Sequence, residues 1–287
     1  MIVVTGATGH LGQLVVDELI TRGVPAGEIV AAVRSPEKAA GLAARGVQVR
    51  RADYNEPESL AAALAGAEKV LLISGSEVGQ RVAQHRNVVE AAKAAGVRLL
   101  AYTGTLNADV TEIMLADEHK ATEVVIRESG VPFVFLRNAF YFEVYSANFP
   151  AALEHGALID AVGDAQLSVA TRADFAGAAA AVLVTEGHEN KVYELGGEPS
   201  FTMAELATEL SRQSGRTVVY NNLSVAEYAA FLASVGLPQA IADIFADASG
   251  GASRGDGFTD SGDLSRLLGR PTTPLTDAVA AALKGLG

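Results

Sequence analysis

The feature that most restricts the fold is a glycine-rich segment near the N-terminus, Thr5-Gly6-Ala7-Thr8-Gly9-His10-Leu11-Gly12. It follows a short β-branched run, Ile2 to Val4, and precedes Leu11, Leu14, Val15 and Leu19, which recur at helical spacing. A strand that turns this tightly into a helix needs residues with little bulk. Gly6 permits the turn, Gly9 lets backbone approach a pyrophosphate, and Gly12 lets the helix pack on the sheet. The helix N-terminus then offers unpaired N–H groups and partial positive charge to phosphates. The spacing is GxxGxxG, not the GxGxxG of the common dinucleotide fingerprint. Its place inside a βαβ unit is what distinguishes it from an ordinary glycine-rich turn. Gly6, Ala7, Thr8, Gly9, His10, Leu11 and Gly12 are therefore candidate cofactor-binding residues.

Apolar runs and helical patterns alternate from there on. Strands are predicted at Ile29 to Val33, Val47 to Arg50, Lys69 to Ile73, Arg98 to Thr103 and Phe133 to Leu136. Helices are predicted at Pro36 to Ala44, Pro57 to Leu64, Gln80 to Ala94 and Ala116 to Glu128. Such alternation with short connections predicts an α/β fold, a Rossmann-type doubly wound parallel sheet. Further helix is expected at Asp174 to Thr185 and a strand at Val192 to Leu195. Thr202-Met-Ala-Glu205 and Ser224-Val-Ala-Glu227 each fit a capping box and start helices. Ser249 to Gly257, rich in Gly and Ser, reads as a mobile loop. The expected division is a nucleotide-binding domain over 1–185 and a smaller, mostly helical C-terminal lobe over 186–287, with some segments before 186 belonging to the lobe.

The net charge of −12 argues against a nucleic-acid partner, and no Lys/Arg-rich run offsets it. There is no cysteine, which excludes disulfides, thiolate nucleophiles and Cys-ligated metals. The five histidines lack HxxxH spacing, so no metal site is expected. No apolar run approaches the roughly 20 residues needed to span a bilayer. With no recognisable signal peptide either, the expected location is cytoplasmic.

Ligand preference is read at the end of the second strand. Sites for NAD often place Asp or Glu there for the ribose 2′-hydroxyl. This chain has Arg34, whose guanidinium suits a 2′-phosphate and has no acceptor for a hydroxyl. Lys38, one helical turn on, is placed to assist, and NADPH is the expected cofactor. Asp53-Tyr54 follows the third strand, where Asp53 either accepts the adenine amino group or is a plain turn residue. Ser74-Gly75-Ser76 follows the fourth strand, where a loop lies against cofactor in such sheets.

Conventional short-chain dehydrogenases protonate a carbonyl oxygen with Tyr-x-x-x-Lys. The tyrosines are at 54, 102, 141, 145, 193, 220 and 228, and none has Lys four residues on. The chain instead resembles the NmrA-like group of atypical short-chain dehydrogenases, in particular its NADPH-dependent quinone oxidoreductases of type 2 and its triphenylmethane reductases. The resemblance spans essentially the whole chain. It rests on Val3-Val4-Thr5-Gly6-Ala7-Thr8-Gly9, Leu72-Ile73-Ser74, Ala116-Asp117-Glu118-His119, Leu136-Arg137-Asn138, Ala170-Thr171-Arg172 and Gly187-His188-Glu189. Gly75 departs from it, a bulkier polar residue being more usual there.

The resemblance implies flavin-free reduction of a quinone or similar conjugated aromatic acceptor by NADPH, in a cleft between the domain and the lobe. It implies that Asn138, Ala139, Phe140, Tyr141, Phe142 and Glu143 lie along the nicotinamide. Acceptors that delocalise the arriving charge need less help from a positioned acid, which matches the absent Tyr–Lys pair. His119 is the candidate proton donor or substrate contact, or else a hydrogen-bonded structural histidine. Tyr141 is a candidate for stacking on substrate, or else packs in the core. Arg137 reads as a buried ion-pair partner. The alternative function is a redox sensor that binds NADP(H) without catalysis, as NmrA-like proteins can.

Overall fold

The computed structural model describes residues 1–286. In chain order the strands are β1 (Ile2–Thr5), β2 (Ile29–Val33), β3 (Gln48–Arg51), β4 (Lys69–Leu72), β5 (Leu99–Thr105), β6 (Phe133–Asn138), β7 (Ala157–Asp160), β8 (Lys191–Leu195) and β9 (Val219–Asn222). The helices are α1 (His10–Thr21), α2 (Ala40–Ala44), α3 (Pro57–Leu64), α4 (Arg81–Ala94), α5 (Met114–Ser129), α6 (Phe142–Ser146) and α7 (Phe149–His155). They continue with α8 (Arg172–Val184), α9 (Met203–Ser214), α10 (Val225–Ser234), α11 (Gln239–Ser253), α12 (Asp263–Leu268) and α13 (Leu275–Lys284).

The chain divides into two compact units that exchange segments along the sequence. The first comprises Met1–Thr105, Glu118–Asn138 and Arg172–Glu194; the second comprises Leu106–Asp117, Ala139–Thr171 and the chain from Leu195 onward.

In the first unit seven strands form one sheet, ordered β3-β2-β1-β4-β5-β6-β8. The pairs from β3 through β6 are all parallel. This is the expected doubly wound sheet. The alternation of side chains along each strand supplies both faces. Val3, Val30, Val70, Leu72, Tyr102 and Phe135 join Leu60 and Leu64 of α3, Val88 of α4 and Ile126 of α5 in one core. Val4, Leu71 and Ala101 are buried on the opposite face, where α8 packs against β4, β5 and α1. Each fully buried Val or Leu contributes about 1.5–3 kcal/mol relative to exposure. Seven of the thirteen residues of α8 are Ala or Gly, Ala178 to Ala181 among them, and all four are buried. Their size lets α1 and α8 approach closely. The strand order reverses between β1 and β4, and in such sheets ligands bind beyond the strand C-termini at that switch point.

The second unit is mostly helical. Both capping boxes form: Glu205 N donates to Thr202 Oγ1 at 3.2 Å and Thr202 N to Glu205 Oε2 at 2.7 Å. Ser224 and Glu227 repeat the arrangement at the start of α10. The four-residue strands β7 and β9 were not legible; they pair in parallel with Leu158 opposite Tyr220. The expectation of a loop over 249–257 is corrected, because α11 continues through Ser253. Its glycines serve packing. A Cβ on Gly250 would sit 2.9 Å from Val225 Cγ2, and one on Gly251 would overlap Ile113 Cγ2. Close tertiary approach here outweighs the roughly 1 kcal/mol that each Gly costs in a helix.

Candidate functional site

The elbow between β1 and α1 has the geometry its composition requires. Gly6 sits at φ +60°, in the left-handed region, and Gly9 N donates to Gly6 O at 2.9 Å. A Cβ on Gly12 would overlap Gly6 O and lie 2.7 Å from Ala7 Cα, so helix and loop touch backbone to backbone. Gly9 is the N-cap of α1, and no side chain caps the first turn. Thr5 secures the floor. Its Oγ1 accepts from Ile73 N at 3.1 Å and lies 2.5 Å from Tyr54 OH.

A cavity of about 350 Å³ opens beyond these strand ends. Of the expected cofactor residues, Gly6, Thr8, Gly9, Arg34, Asp53, Ser74, Gly75 and Ser76 line it. Ala7, Leu11 and Gly12 are buried in the elbow's packing, and His10 is exposed. The cavity is also lined by Ser35, Lys38, Ala52, Tyr54, Asn55, Ile73, Glu77 and Gln84. Glu77 and Gln84 carried no motif that could have identified them. The walls suit a phosphorylated ligand: they combine bare glycine backbone and an open helix N-terminus with the cations of Arg34 and Lys38. Asp53 Oδ1 accepts from Asn55 N at 2.9 Å, forming a turn within the cavity wall.

The Ser74-Gly75-Ser76 loop is held from beneath by buried polar groups. Ser74 N donates to Thr103 Oγ1 at 3.0 Å, and Gly75 N to His85 Nε2 at 2.9 Å. Arg81 Nε donates to Gly75 O at 2.7 Å. A Cβ on Gly75 would come within 3.0 Å of Gln84 Oε1. The backbone is what this position offers the cavity.

His119 lies in the same substructure. Its ring is buried, with Nδ1 2.7 Å from Tyr102 OH and Nε2 3.4 Å from Arg81 Nη1. Arg81 can only donate, so Nε2 accepts and the proton resides on Nδ1, facing Tyr102. Burial, reinforced by the adjacent guanidinium, lowers the His119 pKa to about 3. His85 is likewise lowered to about 3, by burial and then by the charges of His119 and Arg81. Both imidazoles are neutral near pH 7, with their nitrogens turned to protein groups.

Asn138 ends β6 and is buried. The residues that follow it belong to the second unit. Ala139 N donates to Leu195 O at 2.8 Å, Tyr141 bridges Ala170 and is half-buried, and Phe142 meets Phe149 edge-on at 6.1 Å. Phe140 and Glu143 are also half-buried. None of the six residues from Asn138 to Glu143 lines the cavity. Arg137 is fully buried and pairs with Glu123 through two bonds, of 2.8 and 2.7 Å, and with Glu194 at 2.8 Å. Among the described residues no cluster of metal-ligating side chains occurs, and no helix is long and apolar enough to cross a membrane.

Comparison with known proteins agrees with this architecture. The model of the NmrA-like family matches residues 1–248. Quinone oxidoreductase 2 of Escherichia coli (strain K12) is 55% identical over 280 residues, covering 98% of each chain. The crystal structure of the NADPH-dependent quinone oxidoreductase from Escherichia coli complexed with NADPH has a TM-score of 0.96 at 54% identity, over 99% of this chain and 100% of that one. Triphenylmethane reductase from Citrobacter sp., complexed with NADP(H), has a TM-score of 0.93 at 44% identity, over 98% of this chain and 100% of that one.

Proposed function

The chain belongs to the NmrA-like family, and from that premise we propose that it is an NADPH-dependent oxidoreductase that reduces quinones and similar conjugated acceptors by hydride transfer without flavin. The observation that carries this reading is the glycine elbow opening onto a cavity that Arg34 also lines. The similarity over nearly the whole chain to an NADPH-dependent quinone oxidoreductase supports it.

In this reading Gly6, Thr8, Gly9 and the first N–H groups of α1 hold the pyrophosphate. Arg34, with Lys38 beside it, takes the 2′-phosphate, and Ser74 to Ser76 lie along the dinucleotide. Asn138 to Glu143 remain the segment assigned to the nicotinamide side, and Tyr141 the aromatic residue assigned to the acceptor. Bound NADPH supplies the hydride. The chain's own contribution is to orient two flat rings and exclude water, since a quinone spreads the incoming charge over its conjugated system.

His119 is reassigned from proton donor to positioning residue. Its one proton faces Tyr102, and its other nitrogen supports Arg81, which holds the loop at Gly75. The proton that completes the hydroquinone then comes from solvent. The acidic surface, with net charge −12, fits a small-molecule acceptor better than a nucleic-acid partner.

The test is NADPH oxidation by purified protein on addition of benzoquinones or naphthoquinones, without added flavin. Turnover is expected, with no inflection in kcat near pH 6.5, because neither buried imidazole titrates there. Nucleotide binding with no oxidation across a quinone and dye panel would instead support a redox sensor. In the same preparation Arg34→Ala is expected to weaken NADPH binding about 10- to 100-fold, the range for losing a charge-assisted contact. NADH binding should stay within about twofold, because its 2′-hydroxyl offers no anion to the guanidinium. Equal loss for both nucleotides would remove Arg34 from 2′-phosphate recognition.

A further inference from the structure

The lip of the cavity holds a carboxylate beside the guanidinium assigned to the 2′-phosphate. Arg34 Nη1 lies 3.1 Å from Glu77 Oε1, and both residues line the cavity. The other carboxylate oxygen of Glu77 accepts from Gln84 Nε2 at 2.8 Å. Gln84 is itself buried, and its Nε2 also lies 3.4 Å from Asn55 Oδ1.

The backbone on either side of Glu77 is fastened as well. His85 and Arg81 hold Gly75, and Gly79 N donates to Glu118 Oε1 at 3.0 Å. Glu118 is paired in turn with Arg81 at 3.6 Å. The carboxylate is thus delivered to Arg34 by a short span tied at both ends, with a buried amide fixing its second oxygen.

We propose that Glu77 is a specificity-determining residue of the cofactor site, where its carboxylate competes with the 2′-phosphate of NADPH for Arg34 and accepts the 2′-hydroxyl of NADH. This rests on the reading of the cavity as the cofactor site. A phosphate monoester carries nearly two negative charges at neutral pH and three strong acceptor oxygens, so it outcompetes a single carboxylate for a guanidinium. The Arg34–Glu77 pair is exposed, and pairs of this kind are worth at most about fivefold in an equilibrium constant. Glu77 therefore restrains NADPH binding without preventing it. For NADH the balance reverses, because Arg34 has no acceptor to offer a hydroxyl whereas a carboxylate takes its proton directly. The pair as a whole keeps the site open to both nucleotides while favouring the phosphorylated one.

Glu77→Gln keeps the shape of the side chain and removes its charge, so it isolates this effect. Binding of NADPH and of NADH is measured by calorimetry for the wild type and the variant, under identical salt. NADPH is expected to bind about fivefold more tightly to the variant, from loss of the competing pair. NADH is expected to bind about threefold more weakly, from loss of a charged hydrogen-bond acceptor. The preference for NADPH should thus rise by about an order of magnitude.

A preference left unchanged, including one in which both affinities fall together, overturns the role of Glu77. A wild-type protein that binds NADPH no better than NADH overturns the reading of the cavity lip, and the role of Glu77 with it.

Discussion

Gly12→Ala is expected to lower NADPH affinity about a hundredfold, equivalent to about 2.7 kcal/mol, in a fluorescence titration against the wild type. Two opposing effects meet at this position. Alanine favours a helix over glycine by about 1 kcal/mol, and Gly12 lies inside α1, so propensity alone predicts a gain. Against it, the added methyl overlaps Gly6 O and comes within 2.7 Å of Ala7 Cα. Both atoms are backbone and cannot rotate away. The helix must withdraw from the elbow, at a cost of about 1–3 kcal/mol for overpacking, and the pyrophosphate-facing N–H groups withdraw with it. Gly9→Ala is a useful contrast, since its methyl meets only Gly6 O, at 3.2 Å. Wild-type affinity in Gly12→Ala would show that the elbow yields and that its tight packing is not what forms the phosphate site.

Arg137→Ala is expected to destabilise the protein by about 3–5 kcal/mol in urea unfolding, the range for removing one partner of a buried ion pair. Arg137 lies on β6, Glu123 on α5 and Glu194 on β8, so one guanidinium ties a helix to two strands at the sheet edge. Without it Glu123, itself buried, keeps only the half-exposed Arg127, at 4.0 Å, as a cationic partner. The large value reflects that poorly compensated buried charge rather than the net worth of the pair. Replacing Arg137 and Glu123 together with apolar residues of similar volume should therefore recover much of the loss. A single variant that unfolds with the wild type would mean that water reaches Glu123 and the network is not sealed. NADPH affinity of the folded fraction should be retained, since Arg137 does not line the cavity.

Much of the cavity lining was legible before the structure. Gly6, Gly9, Arg34 and Ser74 to Ser76 could be named because each sits at the C-terminal end of a strand, and strands declare themselves by apolar runs. Glu77 could not be named. Its two partners are Arg34, 43 residues earlier in the chain, and Gln84, and nothing in the local pattern of the 75–80 loop points toward the strand end that it meets. His119 was visible as a residue but not as an environment. Only burial, with Tyr102 on one nitrogen and Arg81 on the other, turns a titratable imidazole into a neutral support. The 249–253 stretch misled for a related reason, because its glycines are chosen by contacts with Val225 and Ile113 and not by turn chemistry.

By itself, the sequence determined the parallel sheet, the chain order of its elements, the glycine elbow and the cationic end of the second strand. Periodicity, glycine spacing and charge are properties of neighbouring residues, and short-range sterics translate them directly into backbone geometry. The tertiary structure alone decided which segments combine into each of the two units, which polar side chains lose contact with water, and which carboxylate faces Arg34. Those outcomes depend on groups far apart in the chain arriving within a few ångströms, where desolvation and Coulomb attraction become strong enough to set protonation and pairing.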